Sequence, residues 1–212
     1  MKNIKLIIFD LDGTLVDAYP AIIDSFNYTL QKLGYSRKDD LTIRRAVGWG
    51  DENLLKPFIE KKDLKKALLM YRRHHKKSLL KYACLFPKAE SILRYLKSKG
   101  YKLAVASNRP TRFSYILIRH LKLVKYFDYV LCADKLKQGK PHPEIINRIM
   151  RRLLALPQES VYIGDMGIDA QAGRRAKIKT IIVTTGSSAE KEIFREKPYR
   201  VIKRIRELLD II

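Results

Sequence analysis

Two cysteines in 212 residues, Cys84 and Cys132, cannot supply a disulfide framework. That scarcity points to a reducing, cytoplasmic setting. No apolar run approaches the roughly 20 residues a bilayer-spanning helix needs, so no membrane partner is expected. The N-terminal stretch Ile4 to Val16 looks like a leader segment only until Asp10 and Asp12 interrupt it. The four histidines, His74, His75, His120 and His142, do not follow a metal-ligand spacing. Acid is the scarcest component: 22 Asp+Glu face 44 Lys+Arg, a net charge of +22. Hydrophobic residues at 46% and charged residues at 31% nevertheless describe a globular chain, not a disordered basic tail. The charge leaves nucleic acid or another polyanion open as a partner. The densest basic run, Arg72 to Lys77, lies inside a helical pattern, where a solvated face is the simpler reading.

Short apolar runs rich in β-formers recur: Lys5 to Phe9, Lys102 to Ala106, Tyr129 to Cys132, Val161 to Ile163 and Thr180 to Val183. Helical patterns separate them over Lys88 to Lys99, Thr111 to Leu121, Pro143 to Leu154 and Ile168 to Ala176. This alternation predicts an α/β fold, a doubly wound parallel sheet with helices on both faces. About 90 residues separate the first run from the second, far beyond the dozen or so a crossover requires. Helical character fills that interval, so residues 16–82 are expected to form an inserted helical cap domain. Residues 1–15 and 83–212 then form the core.

The chemistry gathers at the ends of the predicted strands, where open α/β sheets bind ligands. Asp10-Leu11-Asp12-Gly13-Thr14 follows the first strand, Ser107-Asn108 the second, Lys140 the third, and Gly164-Asp165 with Asp169 the fourth. Neighbouring carboxylates repel and raise one another's pKa unless a cation or proton intervenes. Carboxylates with Mg²⁺, a lysine and hydroxyls on one rim make a phosphoryl-transfer site. Cys84 and Cys132 read as small buried hydrophobes. Trp49 is either packing within the cap or substrate contact. Arg109, directly after the Ser-Asn pair, is either exposed or a fork for a substrate carboxylate or second phosphate.

These ordered motifs resemble the haloacid dehalogenase (HAD) superfamily, with a Rossmann-like core and the helical cap of its C1 class. Ala106 to Thr111, Lys140 to Glu144 and the cap segment Val47-Gly48-Trp49-Gly50 look most like phosphoglycolate phosphatase-type members. The resemblance implies that Asp10 is the nucleophile and forms an aspartyl-phosphate, with Asp12 as general acid and then base. It implies Mg²⁺ held by the Asp10 carboxylate, the Asp12 carbonyl and Asp165, with Asp169 in support. Thr14, Ser107, Asn108 and Lys140 would hold phosphate oxygens, and Trp49 and Arg109 are candidates for substrate specificity. Two departures stand out: Met166 replaces the usual Ser or Thr after Asp165, and Lys88 stands where glycine is common.

The expected activity is Mg²⁺-dependent hydrolysis of a small phosphomonoester. The alternatives are a pyrophosphatase or nucleotide phosphatase, a phosphomutase, and a polyanion-binding protein on the same scaffold. Nucleic acid as partner is the less favoured reading because all four motifs are intact. Oligomeric state is left open.

Overall fold

The computed structural model describes Met1 and residues 3–212. Strand β1 (Leu6–Phe9) is followed by a two-residue strand β2 (Val16–Asp17). Four helices come next: α1 (Tyr19–Lys32), α2 (Asp40–Ala46), α3 (Asp51–Leu55) and α4 (Leu64–Tyr82). The chain returns through β3 (Cys84–Leu85) and α5 (Ala89–Ser98). It then alternates: β4 (Lys102–Ser107), α6 (Thr111–His120), β5 (Tyr129–Cys132), α7 (Glu144–Arg152), β6 (Ser160–Gly164), α8 (Gly167–Arg175) and β7 (Lys179–Val183). Helix α9 (Glu190–Arg195) and strand β8 (Arg200–Ile202), neither anticipated from the sequence, complete the core.

The large sheet has the order β5-β4-β1-β6-β7-β8, with every neighbouring pair parallel. Strand β1 sits near its middle and is fully buried, which is why Leu-Ile-Ile-Phe carries no polar alternation. Its side chains still divide by parity. Ile7 and Phe9 join Ile92, Leu93, Phe113 and Leu117 of α5 and α6 on one face. Leu6 and Ile8 join Ile145, Ile146 and Ile149 of α7 on the other. Helices cover both faces, as the alternation requires.

The four-helix insertion is reached through β2 and β3, which pair antiparallel, Val16 with Leu85 and Asp17 with Cys84. Helices α1 and α4 pack against each other, and the core-facing side of α4 carries Ala67, Leu68, Tyr71, His75, Ser78 and Leu79. Asp17 accepts the Tyr19 N–H at 3.2 Å and so serves the start of α1, outside the acidic cluster. Cys84 is exposed, not buried as expected, because the two-residue strand that carries it lies at the surface; Cys132 is buried beside Ser114. Lys88 adopts the left-handed conformation (φ 70°) that the glycine common at this position would accept without strain. No helix among the described residues is long and apolar enough to cross a membrane.

Candidate active site

Strand β1 ends at Phe9, and the next residue, Asp10, is buried at the carboxyl edge of the sheet. Its N–H donates to the Ile163 carbonyl at 2.8 Å, extending the β1–β6 pairing by one residue. Gly13 (φ 80°) then turns the chain back: a Cβ there would come within 2.2 Å of Asp165 Oδ2. Only glycine allows the first acidic loop and the fourth to approach this closely.

Lys140 organises the buried charge. Its ammonium donates to Asp169 Oδ1 at 2.8 Å and to the Tyr162 hydroxyl at 3.0 Å, and it lies 3.0 Å from Asp10 Oδ1. Tyr162 donates in turn to Asp169 Oδ1 at 2.7 Å. The other Asp169 oxygen accepts the N–H groups of Asp165 (3.2 Å) and Met166 (3.0 Å). Asp169 stands in the first turn of α8, where a carboxylate reaching back to free N–H groups is favoured. That reach explains the four-residue spacing between Asp165 and Asp169. Both Asp169 oxygens are thereby committed, so it fits a supporting role.

Asp10 and Asp165 are differently placed. Asp165 Oδ2 is buried with no hydrogen-bond partner, and Asp10 Oδ1 is buried with only the Lys140 ammonium beside it. Carboxylate oxygens of Asp10, Asp165 and Asp169 lie within 4.8 Å of one another. Burial, reinforced by Asp169 and Asp12 and opposed by Lys140, pushes the Asp10 pKa up to about 7. Burial, with Asp169 and Asp10 adding to it, drives Asp165 well above the usual carboxylate range. Buried carboxylate oxygens drawn this close together, that of Asp165 left orphaned, are an arrangement a hard divalent cation satisfies. The donor set therefore fits Mg²⁺.

Other expected site residues stand as follows. Ser107 is buried on the cavity wall, its hydroxyl oxygen accepting the Arg109 N–H at 3.1 Å, which leaves the hydroxyl proton for a ligand. Thr14 turns away from the cavity and donates to Asp165 Oδ1 at 2.8 Å. Its tight turn aims the hydroxyl at the acid, so in this structure it orients Asp165. The Asn108 side-chain amide is also fully engaged. Its oxygen accepts the Lys140 N–H (2.8 Å), and its nitrogen donates to the Lys140 carbonyl (2.9 Å) and the Gly48 carbonyl (2.8 Å) of the cap. Trp49 is half-exposed and not among the cavity-lining residues, whereas Gly48 and Gly50 on either side of it are.

Arg109 is buried, not exposed. Its Nε and Nη2 form a bidentate pair with Asp12 at 2.6 and 2.8 Å. Its Nη1 meets His75 Nε2 of α4 at 2.7 Å. The other ring nitrogen of His75 lies 2.9 Å from Ser25 Oγ, whose proton goes to the Ala21 carbonyl at 2.7 Å. Ser25 therefore accepts from Nδ1–H, and Nε2 keeps the lone pair that receives Arg109. Burial and the nearby guanidinium hold the His75 pKa well below its ordinary value, in keeping with a neutral ring. The sequence reading passed over His75 because it lies in a basic run. Helical periodicity, which puts it on one face with Tyr71 and Leu79, would have marked it as inward-facing. Tyr162 was hidden likewise, inside an apolar strand.

Asp10, Asp12, Ser107, Asn108, Arg109 and Lys140 line one cavity of ≈ 60 Å³ between the sheet edge and the helical insertion. Met166 closes part of its wall: a Cβ on Gly48 (φ 111°) would come within 2.8 Å of the Met166 sulfur. The space a hydroxyl would leave at position 166 is thus filled by a thioether packed against the cap loop.

Residues 7–183 match the family model for haloacid dehalogenase-like hydrolases. The chain belongs to this family. Among relatives of the HAD-like hydrolase, the phosphoglycolate phosphatase of Aquifex aeolicus is 31% identical over 182 residues, covering 86% of this chain and 85% of its own. A crystal structure described as a predicted phosphoglycolate phosphatase from Haemophilus somnus superposes with a TM-score of 0.94 at 25% identity, covering 100% of this chain and 99% of that one. A haloacid dehalogenase-like hydrolase from Streptococcus pneumoniae gives 0.90 at 27% identity with the same coverage. As a HAD-family phosphatase, the protein is a hydrolase of phosphoric monoesters.

Proposed function

We propose that this HAD phosphatase is a cytoplasmic, Mg²⁺-dependent enzyme that hydrolyses a small phosphomonoester resembling 2-phosphoglycolate through an aspartyl-phosphate. The carrying observation is the buried constellation of Asp10, Asp165, Asp169 and Lys140, in which Lys140 pairs with Asp10 and Asp169 and an Asp165 oxygen is left unpartnered. Asp10 and Asp165, with the Asp12 carbonyl, would hold Mg²⁺, which supplies charge screening between the nucleophile and the phosphate. An Asp10 oxygen attacks phosphorus, and the phosphorus–oxygen bond to the alcohol breaks. Asp12, whose oxygens both accept from Arg109 in this structure, would first take up a proton from solvent and then give it to the departing oxygen. Water then attacks the same phosphorus and returns a proton to Asp12, while the phosphorus–oxygen bond to Asp10 breaks and frees phosphate. Lys140 and the Ser107 hydroxyl hold phosphate oxygens, and Asn108 positions the Lys140 loop. The cavity of ≈ 60 Å³, walled in part by Val47, Leu54 and Phe113, favours a small ester over a nucleotide or pyrophosphate.

Turnover of a panel of phosphate esters with and without Mg²⁺, repeated with Asp10→Asn, tests this reading. Mg²⁺-dependent release of phosphate that Asp10→Asn abolishes is expected. Full turnover by Asp10→Asn rules out the covalent route.

A further inference from the structure

Arg109 has five N–H groups, and the structure gives partners to three of its donors: two on Asp12 and one on His75. Two N–H groups of a buried guanidinium thus remain without a protein acceptor, and Arg109 lines the cavity beside Ser107 and Lys140. Asp12 already meets the charge of the guanidinium, but buried N–H donors without acceptors are costly, so the two that remain call for further acceptor oxygens from a ligand. The same cavity of ≈ 60 Å³ is also lined by the apolar side chains Ile22, Leu54 and Phe113, so it suits a compact, singly charged carboxylate better than a second phosphate with its larger charge and volume. His75 matters because it reaches Arg109 from the insertion, not from the core. The guanidinium is held from both sides: Asp12 on the core, and His75 on α4, itself braced by Ser25 on α1.

We propose that Arg109 is the specificity residue that receives a carboxylate carried by the phosphate ester, and that His75 is its positioning residue. The recognition element is complete only when the helical insertion is docked, because His75 belongs to the insertion. This rests on the phosphatase reading and narrows it to carboxylated monoesters. Arg109 also holds Asp12, so its removal slows every substrate; the carboxylate function shows only in a ratio between substrates.

The experiment compares kcat/KM for 2-phosphoglycolate and for ethyl phosphate, which lacks the carboxylate, with wild type, Arg109→Lys, Arg109→Met, His75→Gln and His75→Leu. Wild type is expected to prefer 2-phosphoglycolate by at least about 30-fold, since a site built to pair a polar group rejects an analogue lacking it by up to about 10⁴–10⁵-fold. Arg109→Met should bring the ratio to within about threefold of unity, and Arg109→Lys, which keeps the charge and loses the fork, should fall between. Should the Met variant not fold, the Lys variant carries the test alone. His75→Leu should raise KM for 2-phosphoglycolate several-fold while leaving that for ethyl phosphate unmoved; His75→Gln, which retains an acceptor, should restore most of the difference. Equal proportional losses for both esters in the Arg109 variants overturn the proposal, as does a wild type that hydrolyses both equally well. Either result leaves the phosphatase reading standing. Failure of wild type to hydrolyse either ester, or an aryl phosphate, overturns that reading and this proposal with it.

Discussion

Thr14 Oγ1 and Asp165 Oδ1, 151 positions apart, are joined by a buried hydrogen bond of 2.8 Å. The bond fixes one oxygen of Asp165 and so sets the direction of the other, which has no partner. Thr14→Val keeps the volume and removes the donor. Apparent Mg²⁺ affinity, measured from the Mg²⁺ dependence of turnover and from the Mg²⁺-induced rise in Tm, should fall by about tenfold, as when a supporting partner of a ligand is lost. Turnover at saturating Mg²⁺ should change little. Unchanged affinity would show that Thr14 does not orient this acid.

Asp10 sets a pH dependence of stability in the protein stripped of divalent ions. Its pKa is about 7 in the folded chain and near 3.8 when unfolded. Between these values the folded state holds the proton that the unfolded state has released. Stability therefore falls as pH rises from about 4 to about 7, by at most about 1.4 kcal/mol per pH unit from this group. Denaturant midpoints across that range, in chelator, should slope less steeply in Asp10→Asn than in wild type. Identical slopes would show that Asp10 is not held protonated.

Lys140 is the cation on which two buried carboxylates and a phenol depend. Lys140→Met should destabilise the fold by about 3–5 kcal/mol, the cost of stranding buried charge, and should lower turnover by at least about 100-fold. Urea unfolding monitored by circular dichroism reads the first and phosphate release the second. A loss of activity with unchanged stability would contradict the network as drawn.

Asn108 ties the Lys140 loop to the carbonyl of Gly48 in the insertion. In Asn108→Ala, hydrogen exchange over residues 47–50 should accelerate by about tenfold or more, the scale expected from a lost bond of about 1.5 kcal/mol. KM should rise, because the loop that closes the cavity is released. Exchange that stays at the wild-type rate would mean the tie is redundant.

Lys88→Gly tests the strain where the chain leaves β3. Relieving a left-handed lysine should raise stability by up to about 1 kcal/mol, offset in part by the greater freedom of glycine in the unfolded chain. Thermal unfolding should show a small rise in Tm, and a clear fall would mean that the Lys88 side chain makes a contribution of its own.

Much of the architecture was legible because buried parallel strands leave a plain mark: Leu6–Phe9 and Lys102–Ser107 are apolar runs ending in chemistry. The acids and Lys140 were legible for the same reason, since polar residues at strand ends need a ligand or a network. What escaped detection depended on direction. Thr14 and Asn108 are polar residues in the expected places, yet their side chains face Asp165 and Gly48, and no local pattern encodes where a hydroxyl or amide will point. Arg109 met its partners across 97 and 34 positions. Strand β8 is three residues long, with Arg200 exposed, too short and too mixed to show a period. The +22 charge, which first suggested a polyanion, surrounds an acidic site. A positive surface of this kind raises the encounter rate with anionic esters and is screened by salt.

The insertion leaves and rejoins the core through β2 and β3, paired side by side as Val16 with Leu85 and Asp17 with Cys84. Directly opposed residues in such a pair are only about 5 Å apart. To the rest of the fold, the intervening helices therefore amount to a hairpin loop of unusual length. Such a segment can be lengthened, shortened or exchanged for another without rerouting a single strand of the large sheet. The acids at the sheet edge would keep their places while the helices that close the cavity are rebuilt. The two-strand junction makes the chain a modular one: the acids and Arg109 stay with the sheet, while His75 travels with a cassette that two neighbouring cuts would release.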